Sequence, residues 1–374
     1  MEGVAFCLKM IWILKTLILK DFKEFDFRDR LKGFRLKLMM TGLDHKRSDL
    51  SVREKFAATK AKTGKILTDF KNDVGGGCVI LSTCNRMEFY ASISDSDDLA
   101  LSKVLCAALG IDFSEYESHL TEREGDRVIE HLCRVASGLD SQIIGDDQII
   151  TQVREALELS RDRKCTDSCI ETLFNLSIHA AKAIKTKIFI NTLRTSSVPE
   201  KTVEKLKTMY SYRLSGQKAL VIGSGRIGRQ VCDLLIRESM DVTVTLRSHK
   251  NRGSVRINDK ANVIDYDERY KVLEKIDIAI SATASPHLTI SKDELTALKR
   301  IPEIIVDLAV PRDVEPSVKD INGVALLTID DISDDGRRLP SESALTAESV
   351  IAEHIAKYNK WRECCLNRMF YQGP

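Results

Sequence analysis

A glycine-rich segment between an apolar strand and a helical run constrains the fold of this chain more than any other feature. Gly223, Ser224, Gly225, Arg226, Ile227 and Gly228 follow the apolar residues 219–222 and open a helical pattern that continues to Glu238. In this context the G-x-G-x-x-G spacing predicts a dinucleotide site. Gly223 permits the tight turn, Gly225 lets the backbone approach a pyrophosphate, and Gly228 allows close helix–strand packing. We assign all six residues to cofactor binding; a glycine-rich turn without a ligand is the alternative.

The end of the second predicted strand, about 20 positions further on, distinguishes NAD(H) from NADP(H). This turn reads Leu246-Arg247-Ser248-His249-Lys250 and contains no Asp or Glu to bind the ribose hydroxyls. A cation and a hydroxyl group suit a 2′-phosphate, which they bind through charge-assisted hydrogen bonds. We therefore predict NADPH as the cofactor, with Arg247 and Ser248 as phosphate ligands; a solvated basic loop is the alternative.

The pattern of strands and helices predicts two domains and a C-terminal helix, and the length of 374 residues suggests two to three domains. Between residues 218 and 310, apolar strands alternate with helical runs, which is typical of an α/β Rossmann-type domain with a parallel sheet. We assign residues 195–338 to this NADP(H)-binding domain and residues 38–194 to an α+β catalytic domain. Residues 339–374 form a C-terminal helical segment, and residues 1–37 are an extension of unknown role.

The α+β domain is predicted to combine a few strands with long helices. We expect strands over residues 36–41, 78–81 and 87–93, a helix over 52–70 capped by Ser51, and helices over most of 98–190. The segment between the second and third strands therefore lies at a strand end, where polar side chains are accessible.

Charge and cysteine usage predict a cytoplasmic protein. Lys plus Arg number 57 and Asp plus Glu 55, so a nucleic acid would have to bind a local basic patch. The ten cysteines are scattered, as expected in a reducing compartment. The apolar residues 4–19 are interrupted by Lys9 and Lys15, which argues against a membrane span, and a small-residue cleavage site is lacking.

Cys84 is the candidate nucleophile. It follows the apolar strand 78–81 within Ser82-Thr83-Cys84-Asn85-Arg86. A cation such as Arg86 can hold a nearby thiol as the thiolate, which is the reactive form. A lone cysteine that is only a small buried apolar residue is the alternative.

This block resembles the catalytic signature of the glutamyl-tRNA reductase family. Further blocks of the family occur in the same order, and the resemblance covers about residues 38–362. These blocks are residues 42–46 (GLDHK), 51–54 (SVRE), 131–141 (HLCRVASGLDS), 145–149 (GDDQI), 281–287 (SATASPH), 307–314 (DLAVPRDV) and 330–332 (DDI).

The resemblance implies an activity, a mechanism and partners. Cys84 would attack the ester of glutamyl-tRNA(Glu), release the tRNA and form a thioester, which NADPH would reduce to glutamate-1-semialdehyde. This is the first step of the five-carbon route to tetrapyrroles. The reactive aldehyde implies transfer to glutamate-1-semialdehyde aminotransferase as a partner.

The resemblance also implies roles for individual residues. Arg86 would bind the substrate carboxylate, while Thr83 and Ser141 would hydrogen-bond the glutamyl group. His131 would act as a general acid or base. Asp146 and Gln148 complete the substrate-binding set, with Asp146 standing where the family usually has Glu. The alternatives are a buried structural histidine for His131 and a helix cap for Ser141.

Two other classes of function remain open at this point. An NADP-dependent oxidoreductase of a free metabolite, similar to shikimate dehydrogenase, would not need the Cys84 block, and a non-catalytic regulatory paralogue would keep the fold without turnover. We predict no metal site, because Cys165 and Cys169, four apart on a predicted helix, have no second pair of ligands. The C-terminal segment is shorter than the family's helical dimerisation domain, so the sequence leaves open whether the protein forms a homodimer.

Overall fold

The computed structural model describes residues 36–94, 99–144, 148–189, 197–246, 257–283, 285, 287–333 and 339–371. The predictions for Asp146, Arg247, Ser248 and residues 1–35 lie outside these ranges. Among the described helices, none is both long and apolar enough to cross a membrane.

The N-terminal half contains a four-stranded antiparallel sheet with the order β2-β3-β1-β4. Its strands are β1 (Leu36–Asp44), β2 (Gly77–Ser82), β3 (Arg86–Ser94) and β4 (Thr121–Glu124). Strands β2 and β3 form a hairpin in which Ser82 pairs with Met87, and β1 ends beside it because Asp44 pairs with Arg86. The three-residue turn that carries Cys84 therefore lies where three strands end together.

Helices surround this sheet, and one predicted helix is divided in two. They are α1 (Leu50–Phe56), α2 (Lys60–Val74), α3 (Leu101–Leu109), α4 (Phe113–Tyr116), α5 (Asp126–Ala136), α6 (Gln148–Asp162) and α7 (Ser168–Ile184). The single helix predicted over residues 52–70 is wrong, because Ala57 adopts an extended conformation and Thr59 caps a new helix. The predicted cap is also wrong: the Asp49 carboxylate, rather than Ser51, accepts from the Val52 backbone N–H.

Both faces of the antiparallel sheet are buried. One face carries Leu38, Val79 and Tyr90 and packs against α5, α6 and α7. The opposite face carries Met39, Ile80 and Phe89 and packs against α1, α2 and α3. This two-sided burial explains why β1, β2 and β3 carry apolar residues on both faces, whereas the edge strand β4 is polar and partly exposed.

The second half contains a six-stranded parallel sheet with the order β10-β9-β8-β5-β6-β7. Its strands are β5 (Lys218–Ile222), β6 (Asp241–Leu246), β7 (Asn262–Asp265), β8 (Ile278–Ser281), β9 (Ile304–Asp307) and β10 (Ala325–Thr328). Its helices are α8 (Val198–Met209), α9 (Arg226–Arg237), α10 (Arg269–Leu273), α11 (Lys292–Thr296) and α12 (Ile329–Ser333). This is the doubly wound order, with its switch point between β5 and β8. The predicted combination of an α+β and a Rossmann-type domain is confirmed.

The last helix, α13 (Ser341–Tyr371), returns to the N-terminal half. Ala347, Val350, Ile351 and Tyr358 are buried in the same cluster as α5 and α7. Arg134 on α5 also forms an ion pair with Glu348 on α13. The parallel-sheet domain is therefore an insertion between the α+β domain and the helix that completes its core.

Candidate active site

Cys84 occupies the tip of the β2–β3 hairpin and is half-buried. The turn is held by Thr83, whose backbone N–H donates to the carbonyl of Arg86 at 2.9 Å and whose Oγ1 accepts from the Asn85 N–H at 3.2 Å. Cys84 packs against an apolar cluster that contains Leu50 and Ile143 together with residues of the parallel sheet. The candidate nucleophile therefore lies at the boundary between the two domains.

Arg86 is directed into the protein interior and is only 2% exposed. Its Nη1 donates to Glu88 Oε1 and its Nη2 to the carbonyl of Asp140, each at 2.6 Å. The arginine that the sequence assigns to the substrate carboxylate thus already forms a buried ion pair. Through Asp140 it also fixes the segment that leads to Ser141.

His131 belongs to the same buried group of charges. Its Nε2 lies 2.9 Å from Glu88 Oε1, and the Tyr90 hydroxyl donates to Glu88 Oε2 at 2.6 Å. Burial by itself raises the pKa of the Glu88 carboxyl, but Arg86 and then His131 outweigh it, so that this pKa lies well below its ordinary value. Burial and the charge of Glu88 raise the pKa of Tyr90.

Glu88 and Tyr90 were missed by the sequence reasoning. The signal was present, because a carboxylate in the apolar strand Met87-Glu88-Phe89-Tyr90 can be buried only with partners. Its partner His131 lies on α5, 43 residues away, so the pattern alone could indicate a partner without identifying it.

Three buried polar atoms have no hydrogen-bond partner within the described part of the chain: His45 Nδ1 and Asn85 Oδ1 beside Cys84, and Oε1 of Gln142, whose Nε2 donates to Asp330 at 3.2 Å. The His45 backbone N–H donates to the Asn85 carbonyl at 2.9 Å, which places these two residues side by side. Burial, followed by the positive charge of Arg86, lowers the pKa of His45 to about 4, so its imidazole is neutral at neutral pH. Buried polar atoms are nearly always paired, so such a group indicates a place for a polar ligand.

Ser141 and Gln148 lie on either side of the segment that contains Asp146. Ser141 is half-buried in the turn after α5, where its backbone N–H donates to the Gly138 carbonyl at 3.3 Å. Gln148 begins α6, and its Oε1 accepts from Arg226 Nη2 at 3.2 Å. Gln148 therefore contacts the glycine-rich segment of the other domain.

The glycine-rich turn has the shape that a pyrophosphate requires. Gly223 has φ +109°, and a Cβ there would lie 2.6 Å from the carbonyl of Ala282. A Cβ on Gly228 would collide with the Gly223 carbonyl, whereas a Cβ on Gly225 would meet no atom within 4 Å. Because Gly225 caps α9, the open space lies at a helix N-terminus, where backbone N–H groups bind anions. These residues fit a dinucleotide.

The other three residues of this motif differ in their surroundings. Ile227 packs against the apolar cluster of the parallel sheet, so its side chain serves the core. Ser224 is half-buried and Arg226 is exposed, beside the open space at Gly225.

Two ion pairs connect α1 to the parallel-sheet domain. Arg53 Nη2 lies 2.7 Å from Asp330 Oδ1, and Arg312 Nη2 lies 2.7 Å from Glu54 Oε2. The partners are 277 and 258 residues apart in the chain, which places them beyond any local sequence pattern.

The described residues contain no group of three or more His, Cys, Asp or Glu side chains that could hold a metal. The expectation that Cys165 and Cys169 share a helix is wrong, because Cys165 lies in the segment before α7 and only Cys169 is helical. The two thiols belong to different apolar clusters of the N-terminal half.

Comparisons with known proteins agree with the two-domain architecture. Residues 41–188 match the family model of the glutamyl-tRNA(Glu) reductase N-terminal domain, and residues 204–334 match that of shikimate/quinate 5-dehydrogenase. A glutamyl-tRNA reductase of Alkaliphilus oremlandii is 38% identical over 328 residues, which cover 87% of this chain and 97% of the relative. A glutamyl-tRNA reductase of Acetivibrio thermocellus is 37% identical over 330 residues, which cover 88% of this chain and 98% of the relative. The solved glutamyl-tRNA reductase of Methanopyrus kandleri is 27% identical, with 88% of this chain and 82% of that chain covered and a TM-score of 0.48.

Proposed function

Because the chain belongs to the glutamyl-tRNA reductase family, we propose that it uses NADPH to reduce glutamyl-tRNA(Glu) to glutamate-1-semialdehyde, the first step of five-carbon tetrapyrrole biosynthesis. The observation that carries the proposal is the position of Cys84, a half-buried thiol that packs against apolar residues at the boundary of the two domains. A nucleophile there can accept the glutamyl group on the α+β side and present it to a cofactor on the other side.

The first step is transfer of the glutamyl group to Cys84. The thiolate attacks the carbonyl carbon of the ester, the bond to the ribose oxygen of the tRNA breaks, and that oxygen takes up a proton. A glutamyl thioester remains on Cys84 Sγ. The Thr83 and Ser141 hydroxyls are the proposed hydrogen-bond partners of the glutamyl group, with Asp146 and Gln148 beside them.

The three unpaired polar atoms suit the ammonium group of the glutamyl residue. Asn85 Oδ1 and Gln142 Oε1 are acceptors, and the neutral His45 ring offers an acceptor nitrogen in one of its tautomers. A substrate carboxylate would share the Arg86 guanidinium with Glu88 and the Asp140 carbonyl. His131 would move protons through Nδ1, since its Nε2 is held by Glu88.

The second step returns the thiolate. NADPH, when bound, supplies the hydride that converts the thioester carbonyl to an aldehyde as the C–S bond breaks. The residues that would hold it are Gly223 to Gly228 at the pyrophosphate, with Arg247 and Ser248 at the 2′-phosphate. The reactive aldehyde would then pass to glutamate-1-semialdehyde aminotransferase.

The decisive experiment compares wild type with Cys84→Ser. Wild type should form a Cys84-bound glutamyl species from labelled glutamyl-tRNA without NADPH, and semialdehyde once NADPH is added. Cys84→Ser should form neither yet bind NADPH normally, because an alcohol is a far poorer nucleophile than a thiolate. Cys364→Ser, which removes an exposed thiol on α13, is the matched control and should behave as wild type.

Each contrary result has a meaning. Turnover by Cys84→Ser would exclude the thioester route. NADPH binding without an acyl-enzyme in wild type would favour an oxidoreductase of a free metabolite or a non-catalytic paralogue.

A further inference from the structure

We propose that Glu54 and Arg312 are positioning residues that set the distance between acylated Cys84 and the cofactor turn, so that their contact controls the reduction step and not the acylation step; Arg53 links this contact to the turn that carries Cys84. The inference rests on the proposed function. The ion pairs between the domains take no direct part in the acylation of Cys84 or in the reduction of the thioester, so their role is to hold the domains in position.

Arg53 connects the turn that carries Cys84 to α12, the last helix of the parallel-sheet domain. It is 3% exposed, and its Nε donates to the Cys84 carbonyl at 3.3 Å. Its Nη1 donates to the Ser48 carbonyl at 2.9 Å and its Nη2 to Asp330 Oδ1 at 2.7 Å. One rigid guanidinium thus contacts both domains and the backbone of Cys84.

Glu54 holds a second point on the parallel-sheet domain with three hydrogen bonds. Its Oε1 accepts from the backbone N–H of Arg312 at 2.6 Å and from Arg312 Nε at 2.8 Å. Its Oε2 accepts from Arg312 Nη2 at 2.7 Å. A two-pronged, charge-assisted contact with an added backbone bond restricts orientation far more than a single surface ion pair does.

The contacts continue from Arg312 to the glycine-rich turn. The neighbouring Asp313 accepts from Ser281 Oγ at 2.7 Å, from the Thr283 N–H at 2.8 Å and from Thr283 Oγ1 at 2.6 Å. The Ala282 carbonyl in this segment lies against Gly223. A continuous series of contacts therefore joins Cys84 to the turn that would hold the pyrophosphate, at the carboxyl edge where doubly wound sheets bind ligands.

The two chemical steps depend on this series to different degrees. Acylation needs Cys84 and the proposed glutamyl-binding residues Thr83, Arg86 and Ser141, all of which lie in the α+β domain. Hydride transfer needs reacting atoms from both domains within about 3–3.5 Å, and a displacement of about 1 Å can cost about 100-fold in rate. Weakening the contact between Glu54 and Arg312 should therefore slow reduction selectively.

The test separates the steps in Glu54→Gln, which keeps the shape of the side chain and removes its charge. Acyl-Cys84 formed from labelled glutamyl-tRNA without NADPH is measured by mass spectrometry, and NADPH affinity by titration. Preformed acyl-enzyme is then mixed with NADPH in a single turnover. We expect unchanged acylation and NADPH affinity, and reduction slowed about 10- to 100-fold.

Hydrogen exchange provides a second measurement, which needs neither cofactor nor tRNA. Hydrogen exchange at the Arg312 amide should accelerate in Glu54→Gln, because this amide donates to Glu54. Arg312→Gln, altered on the opposite side, should slow the same step. Glu238→Gln is the control, since it breaks the Lys207–Glu238 ion pair within the parallel-sheet domain and should change none of these quantities.

The outcomes separate the two proposals. Equal loss of acylation and reduction would mean that Glu54 has only a structural role. Unchanged reduction in both variants would show that the contact does not position the domains. Either result would overturn this inference but leave the proposed function standing. Failure of wild type to form an acyl-enzyme would overturn the proposed function, and the inference with it.

Discussion

At the scale of single residues, Glu88 is where the buried charges of the α+β domain meet. Its carboxylate is bound by Arg86, His131 and Tyr90, all of them buried. Removing one partner of a buried ion pair is costly, because it leaves the other charge desolvated and uncompensated. Arg86 holds Asp140, so Glu88 also supports the segment that carries Ser141.

We predict that Glu88→Gln lowers the free energy of unfolding at pH 7 by about 3 kcal/mol. Because the folded-state pKa of Glu88 lies below its ordinary value of 4.5, its stabilising effect is present above that pH and is lost as the pH falls below it. The difference in the free energy of unfolding between wild type and variant should therefore become smaller under acidic conditions. Urea unfolding at several pH values measures it, and a difference that stays constant down to pH 2 would contradict the assignment.

At the scale of secondary-structure elements, the sequence revealed the strongly buried strands and missed three partly exposed ones. Strands β4, β7 and β10, which were not predicted, are all edge strands of their sheets. The edge strand β2 is buried and was predicted, whereas these three are at most half-buried and show only short or weak apolar patterns. The β5–α9 turn was predictable because its glycines act locally. The contacts of Arg53 and Glu54 were not, since they join distant parts of the chain.

The β5–α9 turn offers a matched pair of substitutions. Gly225→Ala should change stability by no more than about 1 kcal/mol, since the new Cβ meets no atom, yet weaken NADPH at least about tenfold by filling the space at the helix N-terminus. Gly228→Ala should weaken NADPH binding too and should in addition lower the free energy of unfolding by about 2 kcal/mol, because its Cβ would collide with the Gly223 carbonyl. Unfolding curves and NADPH titration distinguish them. Unaltered NADPH binding in Gly225→Ala would argue against a pyrophosphate there.

At the scale of the whole molecule, α13 belongs to the core of the N-terminal half although it follows the parallel-sheet domain in the chain. Tyr358 is 1% exposed within that core, and its hydroxyl donates to the Cys169 carbonyl at 3.5 Å. The cluster joins α13 to α5, α6 and α7. Residues from both ends of the described chain therefore stabilise one unit.

We predict that Tyr358→Ala destabilises this unit by about 3–5 kcal/mol, the usual cost of removing a large buried aromatic ring. Hydrogen exchange should accelerate in α5, α7 and α13 and remain slow in β5, β6 and β8. Leu345→Ala, which alters an exposed residue on the same helix, is the control. Uniform acceleration in both halves would mean that the two domains unfold as one unit.

The inserted parallel-sheet domain begins and ends at neighbouring points. Lys201 Nζ on α8, its first helix, donates to the carbonyl of Ser333 at the end of α12 at 3.2 Å. The first and last helices of this domain are therefore in contact, and the two sheets share no strand. Exchange of the whole domain at these two points would break no strand pairing, so that the two domains could evolve as separate modules.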